Sequence, residues 1–259
     1  MTVVEPDGVE TELLEPVRQL PIDRDRPVED TTALSLSGGG YRAMLFHAGV
    51  LRRLNDAGYL PRISRVSSVS GGSITAGVLA LAWEKLDFDD TGSSTKFVDL
   101  VEKPIRALAE RTLDLSSAIE GLVLPGRSIS DRLTAAYREH LFGKATLQQL
   151  PESPVFVINA TNVGSGALLR FTRAYLADWR VGRIEAPGIE LARAVASSSA
   201  FPPVLSPSRL ELKDAAWVDE EGNDLGTPEH RDELFLTDGG VYDNLGIETA
   251  WKRCRTVLV

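Results

Sequence analysis

The chain has 259 residues, 43% of them hydrophobic and 25% charged, the balance of a globular protein with one substantial core. Its 37 acidic residues against 28 basic ones give a formal charge of -9, which argues against broad nucleic-acid binding and against general attraction to anionic lipid. Cys254 is the single cysteine, so neither an intrachain disulfide nor a thiolate metal cluster can form.

Residues 1–30 place Pro6, Pro16, Pro21 and Pro27 among acids without a sustained period. They are expected to form an arm lying on one domain over 31–259, and they lack the basic start and apolar stretch of a secretory signal. Ala33 to Ser37 predicts a short buried strand that stops at Gly38-Gly39-Gly40. A helix follows, with Met44, Leu45, Ala48, Leu51 and Leu54 on one face and Gly58 as its stop. Ile63 to Val69 predicts a second strand, broken at Gly71-Gly72 and followed by the apolar helix Ile74 to Trp83. At ten residues that stretch is about half of what a membrane crossing needs. Strand, glycine turn and helix, twice over, are the pattern of a parallel α/β sheet.

Residues 87–150 read as a helical insertion over that sheet. Asp87 to Thr95 is polar, Phe97 to Leu113 carries helical spacing, and Ile119 to Pro125 is apolar without a period. Ser128-x-x-Asp131 predicts a capping box for a helix through Leu133, Tyr137 and Leu141, closed by Gly143. The α/β pattern resumes with strands at Val155 to Asn159, Leu168 to Thr172 and Leu234 to Thr237, and a helix from Glu190 to Ser199. Asp214 to Glu233 is acid-rich and expected as a solvated loop or hairpin. Thr256 to Val259 looks like a strand beginning, so the domain is expected to continue past Val259.

Three motifs carry chemistry. Ser68-Val69-Ser70-Gly71-Gly72 stands where a strand gives way to a helix, as a nucleophile elbow requires, because a tight turn there exposes the serine hydroxyl. Ser68 occupies a position where glycine is usual; read alone, the cluster is also compatible with an ordinary turn. Ser37-Gly38-Gly39-Gly40-Tyr41-Arg42 can turn backbone N–H groups toward one point at a helix N-terminus, an anion nest. Gly38-x-Gly40-x-x-Ala43 also fits a dinucleotide fingerprint, but that needs an acid about 20 residues on, and the next strand ends in Ser67 and Ser68. Asp238-Gly239-Gly240 puts an acid after the strand Leu234 to Thr237, expected to be parallel, where ligands gather in open α/β sheets; the bland reading is a turn acid capping its own backbone. The histidines, His47, His140 and His230, lack metal-ligand spacing, and no calcium-loop spacing occurs, so neither metal nor cofactor is expected.

Nest, elbow and strand-end aspartate supply donors, nucleophile and base on one rim. In this order the chain resembles the patatin-like phospholipases from about Ala33 to Asn244, including "TDGGVYDNLG" and, ahead of it, "ARAVASSSAFPPVLSP". The resemblance implies a three-layer α/β fold with a mainly parallel central sheet, helices on both faces and a helical insertion, with 31–259 as the catalytic domain. It implies hydrolysis of carboxylic esters of phospholipid or lysophospholipid by a Ser70–Asp238 dyad, through an acyl-serine and without a catalytic histidine. Gly38, Gly39, Gly40 and Gly71 are then the expected oxyanion hole. Arg42, Gly72, Gly239, Gly240 and Asn244 support it, with Arg42 expected to fix loop carbonyls and a phosphate contact as its alternative. A cytoplasmic protein touching the inner membrane face, with no nucleic-acid partner, fits this reading. Two departures are Ser68 in the elbow and the short stretch after Asn244. Two other functions remain open at this point: an inactive lipid binder, from the altered elbow, and a nucleotide-binding α/β protein, from Gly38-x-Gly40.

Overall fold

The computed structural model describes residues 3–4, 10–11, 27–111, 129–220 and 222–259. Ile119 to Pro125, Ser128 of the expected capping box and most of the 1–30 arm lie outside these residues. Val3–Val4 and Glu10–Thr11 form a short antiparallel pair.

A ten-stranded sheet organises the rest. Its strands are β1 (Glu29–Leu36), β2 (Ile63–Val69), β3 (Val155–Asn162), β4 (Ala167–Phe171), β5 (Tyr175–Asp178), β6 (Gly182–Glu185), β7 (Ser208–Glu211), β8 (Trp217–Val218), β9 (Glu233–Asp238) and β10 (Cys254–Leu258). At the centre of the fold β10, β1, β2 and β3 run parallel, the arrangement expected from the two strand–glycine–helix units. Beyond β3 the sheet continues as the antiparallel run β4, β5, β6 and β8. The two units supply α1 (Gly40–Asp56) and α2 (Gly71–Ala82); α3 (Ile129–Tyr137) and α4 (Leu191–Ser198) follow.

Side chains alternate across β2. Ser68 faces α2, where the Ser73 hydroxyl donates to it at 3.1 Å, and Ser67 faces the other way, 2.7 Å from the Thr249 hydroxyl in a short helix, Glu248–Trp251. The main core lies on the α2 side. Leu36, Met44, Leu51, Ile74 and Leu79 join there with Phe97, Ile105, Leu133 and Tyr137 from the expected insertion, which therefore shares one core with the sheet.

The direction of β9 differs from expectation. It pairs antiparallel with β3, not as one more parallel strand. Val69, the last residue of β2, lies opposite Asn159, and Asp238, the last residue of β9, lies opposite the adjacent Ala160. Two strands thus converge end to end along one edge of β3, and their C-terminal ends meet. This register brings Ser70 and Asp238 together from positions 168 apart in the chain. The acid-rich 214–233 stretch also differs from a plain loop: it contains β8 and a helical turn, Pro228–Arg231, with the Arg231 guanidinium over the Trp217 ring.

Candidate active site

The elbow is a local consequence of its residues. Ser70 sits at φ 52°, ψ -120°, a region that costs a residue with a side chain about 1–3 kcal/mol. Gly71 follows because a Cβ there would fall 2.0 Å from the Gly40 carbonyl oxygen, so the elbow and nest backbones can touch. Gly72 meets the Leu36 carbonyl in the same way, at 2.2 Å. The Ser70 carbonyl then accepts from the N–H groups of Ser73 and Ile74, at 2.9 and 3.3 Å, and α2 begins.

Ser198, to which the motifs assign no role, holds this turn from below. Its hydroxyl accepts from the Ser70 N–H at 3.0 Å and donates to the Asn159 carbonyl at 2.6 Å. Its own carbonyl accepts from the Gly239 N–H at 3.2 Å, and the Ala200 carbonyl accepts from the Asp238 N–H at 2.9 Å. The last turn of α4 therefore fixes the backbone on both sides of the Ser70–Asp238 pair. The signal in the sequence was the run Ser197-Ser198-Ser199 closing an apolar helix, where only the Ser199 hydroxyl bonds back within the helix, to the Val195 carbonyl at 2.8 Å.

Asp238 is 5% exposed, and the Ser70 hydroxyl stands beside its carboxylate at the cavity. Its Oδ1 accepts from the Gly240 N–H at 2.8 Å. Among the described residues no cation pairs with it. Burial pushes its pKa above the ordinary carboxylate value, only partly opposed by the bonds from Ser70 and Gly240. The arrangement is a hydroxyl held against a carboxylate that has lost water and gained no counter-charge.

Four of the glycines expected around the oxyanion fall into two groups. Gly39, Gly40 and Gly71 line the cavity beside Ser70. Gly39 adopts φ 138°, open only to glycine in practice, and this directs the start of α1 toward the elbow. The first-turn N–H groups of α1 and α2 have no intrahelical acceptor, and both helix dipoles favour negative charge there. Gly38 is different: its N–H donates to the Asn244 carbonyl at 2.9 Å, which removes it from the donor set. Gly239 packs against the Asn159 carbonyl, and the Asn244 side-chain oxygen lies against both Gly38 and Gly240, tying the nest to the Asp238 turn. Arg42 is exposed, and among the described residues no hydrogen bond ties it to the loop carbonyls it was expected to fix. Ser68 is fully buried, donating to the Val157 carbonyl at 3.2 Å, so it fills the elbow's floor and does not face the cavity.

No histidine hydrogen-bonds to the pair. His47 Nε2 lies 3.0 Å from the Ser37 carbonyl, with burial lowering its pKa, His230 lies 3.1 Å from the Thr227 hydroxyl, and His140 belongs to the turn Arg138–Phe142. Among the described residues no group of carboxylates, histidines or cysteine could hold a metal ion, and no helix is long and apolar enough to cross a membrane. Above Ser70 opens a cavity of about 480 Å³, walled by Tyr41, Ile74, Leu133, Phe201, Leu205 and Val241. Such a wall accepts a hydrocarbon chain and offers little to a nucleotide.

A family model described as patatin-like phospholipase matches residues 34–251. No curated protein matches the chain. Among solved structures, human GIVD cytosolic phospholipase A2 is similar at 14% identity and TM-score 0.54, over 89% of this chain and 45% of that one. VipD from Legionella pneumophila is similar at 16% identity and TM-score 0.40, over 84% of this chain and 47% of that one. ExoU, in its complex with SpcU from Pseudomonas aeruginosa, is similar at 21% identity and TM-score 0.37, over 69% and 37%. The first of these shares the fold, and the chain spans less than half the length of each.

Proposed function

The chain belongs to the patatin-like phospholipase family, and we propose that it hydrolyses carboxylic esters of phospholipids or lysophospholipids with Ser70 as nucleophile and Asp238 as base. The observation that carries this reading is the Ser70 hydroxyl beside a buried carboxylate that has no cation partner among the described residues, both lining an apolar cavity. A free serine hydroxyl is a weak nucleophile and needs an adjacent base. A carboxylate in water is a weak base, and burial that raises its pKa brings it closer to the task.

Ser70 Oγ attacks the acyl carbon as its proton passes to Asp238. The tetrahedral oxyanion is met by the N–H groups of Gly39, Gly40 and Gly71, each such donor being worth about a hundred- to a thousandfold in rate. The leaving alcohol takes the proton from Asp238, and the acyl group stays on Ser70. Water then attacks the acyl carbon, Asp238 accepts its proton, and Ser70 is released as the hydroxyl while the fatty acid departs. The protein uses no imidazole in this cycle.

Hydrolysis of p-nitrophenyl butyrate and of phosphatidylcholine, followed by product analysis, tests the proposal. Wild type is expected to release fatty acid from both, and Ser70→Ala from neither, with an unchanged melting temperature. A folded Ser70→Ala protein that still turns over either substrate, or a wild type that turns over neither, defeats it.

A further inference from the structure

The mouth of the cavity is bordered by two loops with an unusual surface. On one, Phe201 and Val204 are 62% and 53% exposed, and on the other Val241 and Leu245 are 58% and 45% exposed. Phe201 and Val241 also line the cavity, so exposed apolar surface runs without a break from the outside to the floor where Ser70 lies. Exposed hydrophobic side chains are ordinary when scattered; four on two loops around one opening form a patch.

The charges around this patch select what it can meet. Residues 199–208 contain no ionisable side chain at all. The second loop, 239–247, holds Tyr242, whose hydroxyl is pushed further from ionising by burial, and one charged side chain, Asp243, whose carboxylate is turned inward to accept from the N–H groups of Leu245, Gly246 and Glu248 at 2.9–3.2 Å. Arg42 is exposed on the first turn of α1, next in the chain to Tyr41 of the cavity wall. Neither loop contains a lysine or arginine, where a cluster of about four to eight draws proteins to anionic lipid. The whole chain, at -9, is repelled by such a surface.

We infer that the loops 201–205 and 241–245 form a docking face for neutral or zwitterionic lipid, which sets the cavity mouth against a bilayer without electrostatic attraction. The inference rests on the lipid-hydrolase reading for its choice of partner. It deepens that reading: apolar insertion replaces the charge attraction on which many peripheral proteins depend, so acidic lipid weakens binding where it normally strengthens it. Lipid reaches Ser70 along a continuous apolar path, with its acyl chain leaving the bilayer for the cavity and its headgroup remaining near Arg42.

Vesicle flotation tests this separately from chemistry, with phosphatidylcholine vesicles and with equimolar phosphatidylcholine–phosphatidylglycerol vesicles. Val204 and Leu245 are the residues to change, since neither lines the cavity. Val28→Asp, at the far end of β1 and equally exposed, is the control. Wild type is expected to float with phosphatidylcholine and less well with the anionic mixture. Val204→Asp/Leu245→Asp is expected to lose flotation by about tenfold or more, with Val28→Asp unchanged. Turnover of p-nitrophenyl butyrate within about twofold of wild type shows that the double variant is folded; if it is not, Val204→Ser/Leu245→Ser replaces it under the same criteria. Wild type that does not float, floats only with the anionic mixture, or floats undiminished in the double variant overturns the inference. So does a wild-type dimer in light scattering that the double variant dissociates, since the face would then join two copies. A protein that floats as expected yet hydrolyses no ester defeats the hydrolase reading and leaves the docking face standing.

Discussion

Two carboxylates ten residues apart in the chain, Asp238 and Glu248, are each 5% exposed, and they are treated in opposite ways. Glu248 is bracketed by Arg170 Nη2 at 3.2 Å and Lys252 Nζ at 2.9 Å, both buried as well. Asp238 meets a serine hydroxyl and one backbone N–H, and among the described residues no cation. A buried carboxylate between close cations is a structural ion pair, and removing it strands their charges. One without them resists losing its proton and is poised to take one from a neighbour. The same chemical group, at the same depth, is a tie in one place and the proposed base in the other because of what was placed beside it.

Exchanging each carboxylate for its amide should separate the two roles most sharply. Asp238→Asn is expected to lower turnover of a soluble ester by about a thousandfold or more. Its stability should not fall. The folded pKa of Asp238 is raised, so its contribution is most favourable below the unfolded value and is lost as pH rises through the folded one. A neutral amide removes that penalty, and the melting temperature at neutral pH should match or exceed wild type. Glu248→Gln leaves two buried cations without their shared carboxylate and should cost about 3–5 kcal/mol in denaturant unfolding. Activity per folded molecule should stay within about twofold.

Next in size is Ser198. Ser198→Ala removes the acceptor of the Ser70 N–H, and a nucleophile displaced by a fraction of an ångström is expected to lose about ten- to a hundredfold in kcat with little change in KM. Ser198→Thr keeps the hydroxyl and should recover most of the loss, which a merely space-filling residue would not require. Equal losses in both variants would reduce Ser198 to packing.

The pH profile comes third. The acid limb of kcat/KM should lie above the usual carboxylate value of about 3.9, because Asp238 must be ionised to act and its pKa is raised. His140→Gln and His230→Gln should leave both the limb and the rate within about twofold. The smallest effect belongs to Ser68→Ala, about 1 kcal/mol of stability from two lost hydrogen bonds, with activity retained.

Much of this was legible in the residues. Strand, glycine turn and helix leave strong local traces, since the apolar period changes at Gly38 and again at Gly71. What escaped were features settled by pairing across distance. β5 and β6 are four residues each, too short for an alternation to register, and exist because β4 offers an edge to β5 and β5 in turn offers one to β6. The direction of β9 is invisible in Leu234 to Thr237 itself and is decided by the part of β3 that β2 leaves open. The same non-local geometry turns the Gly38 N–H to Asn244 and gives Ser198 its place beneath the elbow. Gly39, Gly40, Gly71 and Asp238 could be read from local motifs because each sits at the end of an element, where the sequence marks the turn.

The measurement that bears most directly on the account is labelling with a fluorophosphonate, with the adduct located by peptide mass mapping, in wild type, Asp238→Asn and Glu248→Gln. The reagent reports an activated serine without requiring the natural lipid. Wild type and Glu248→Gln should carry one adduct, on Ser70, and Asp238→Asn should label slower by about a hundredfold or more. An adduct on Ser68 or Ser198, or Asp238→Asn labelling as fast as wild type, would contradict the assignment of Asp238 as the base that activates Ser70.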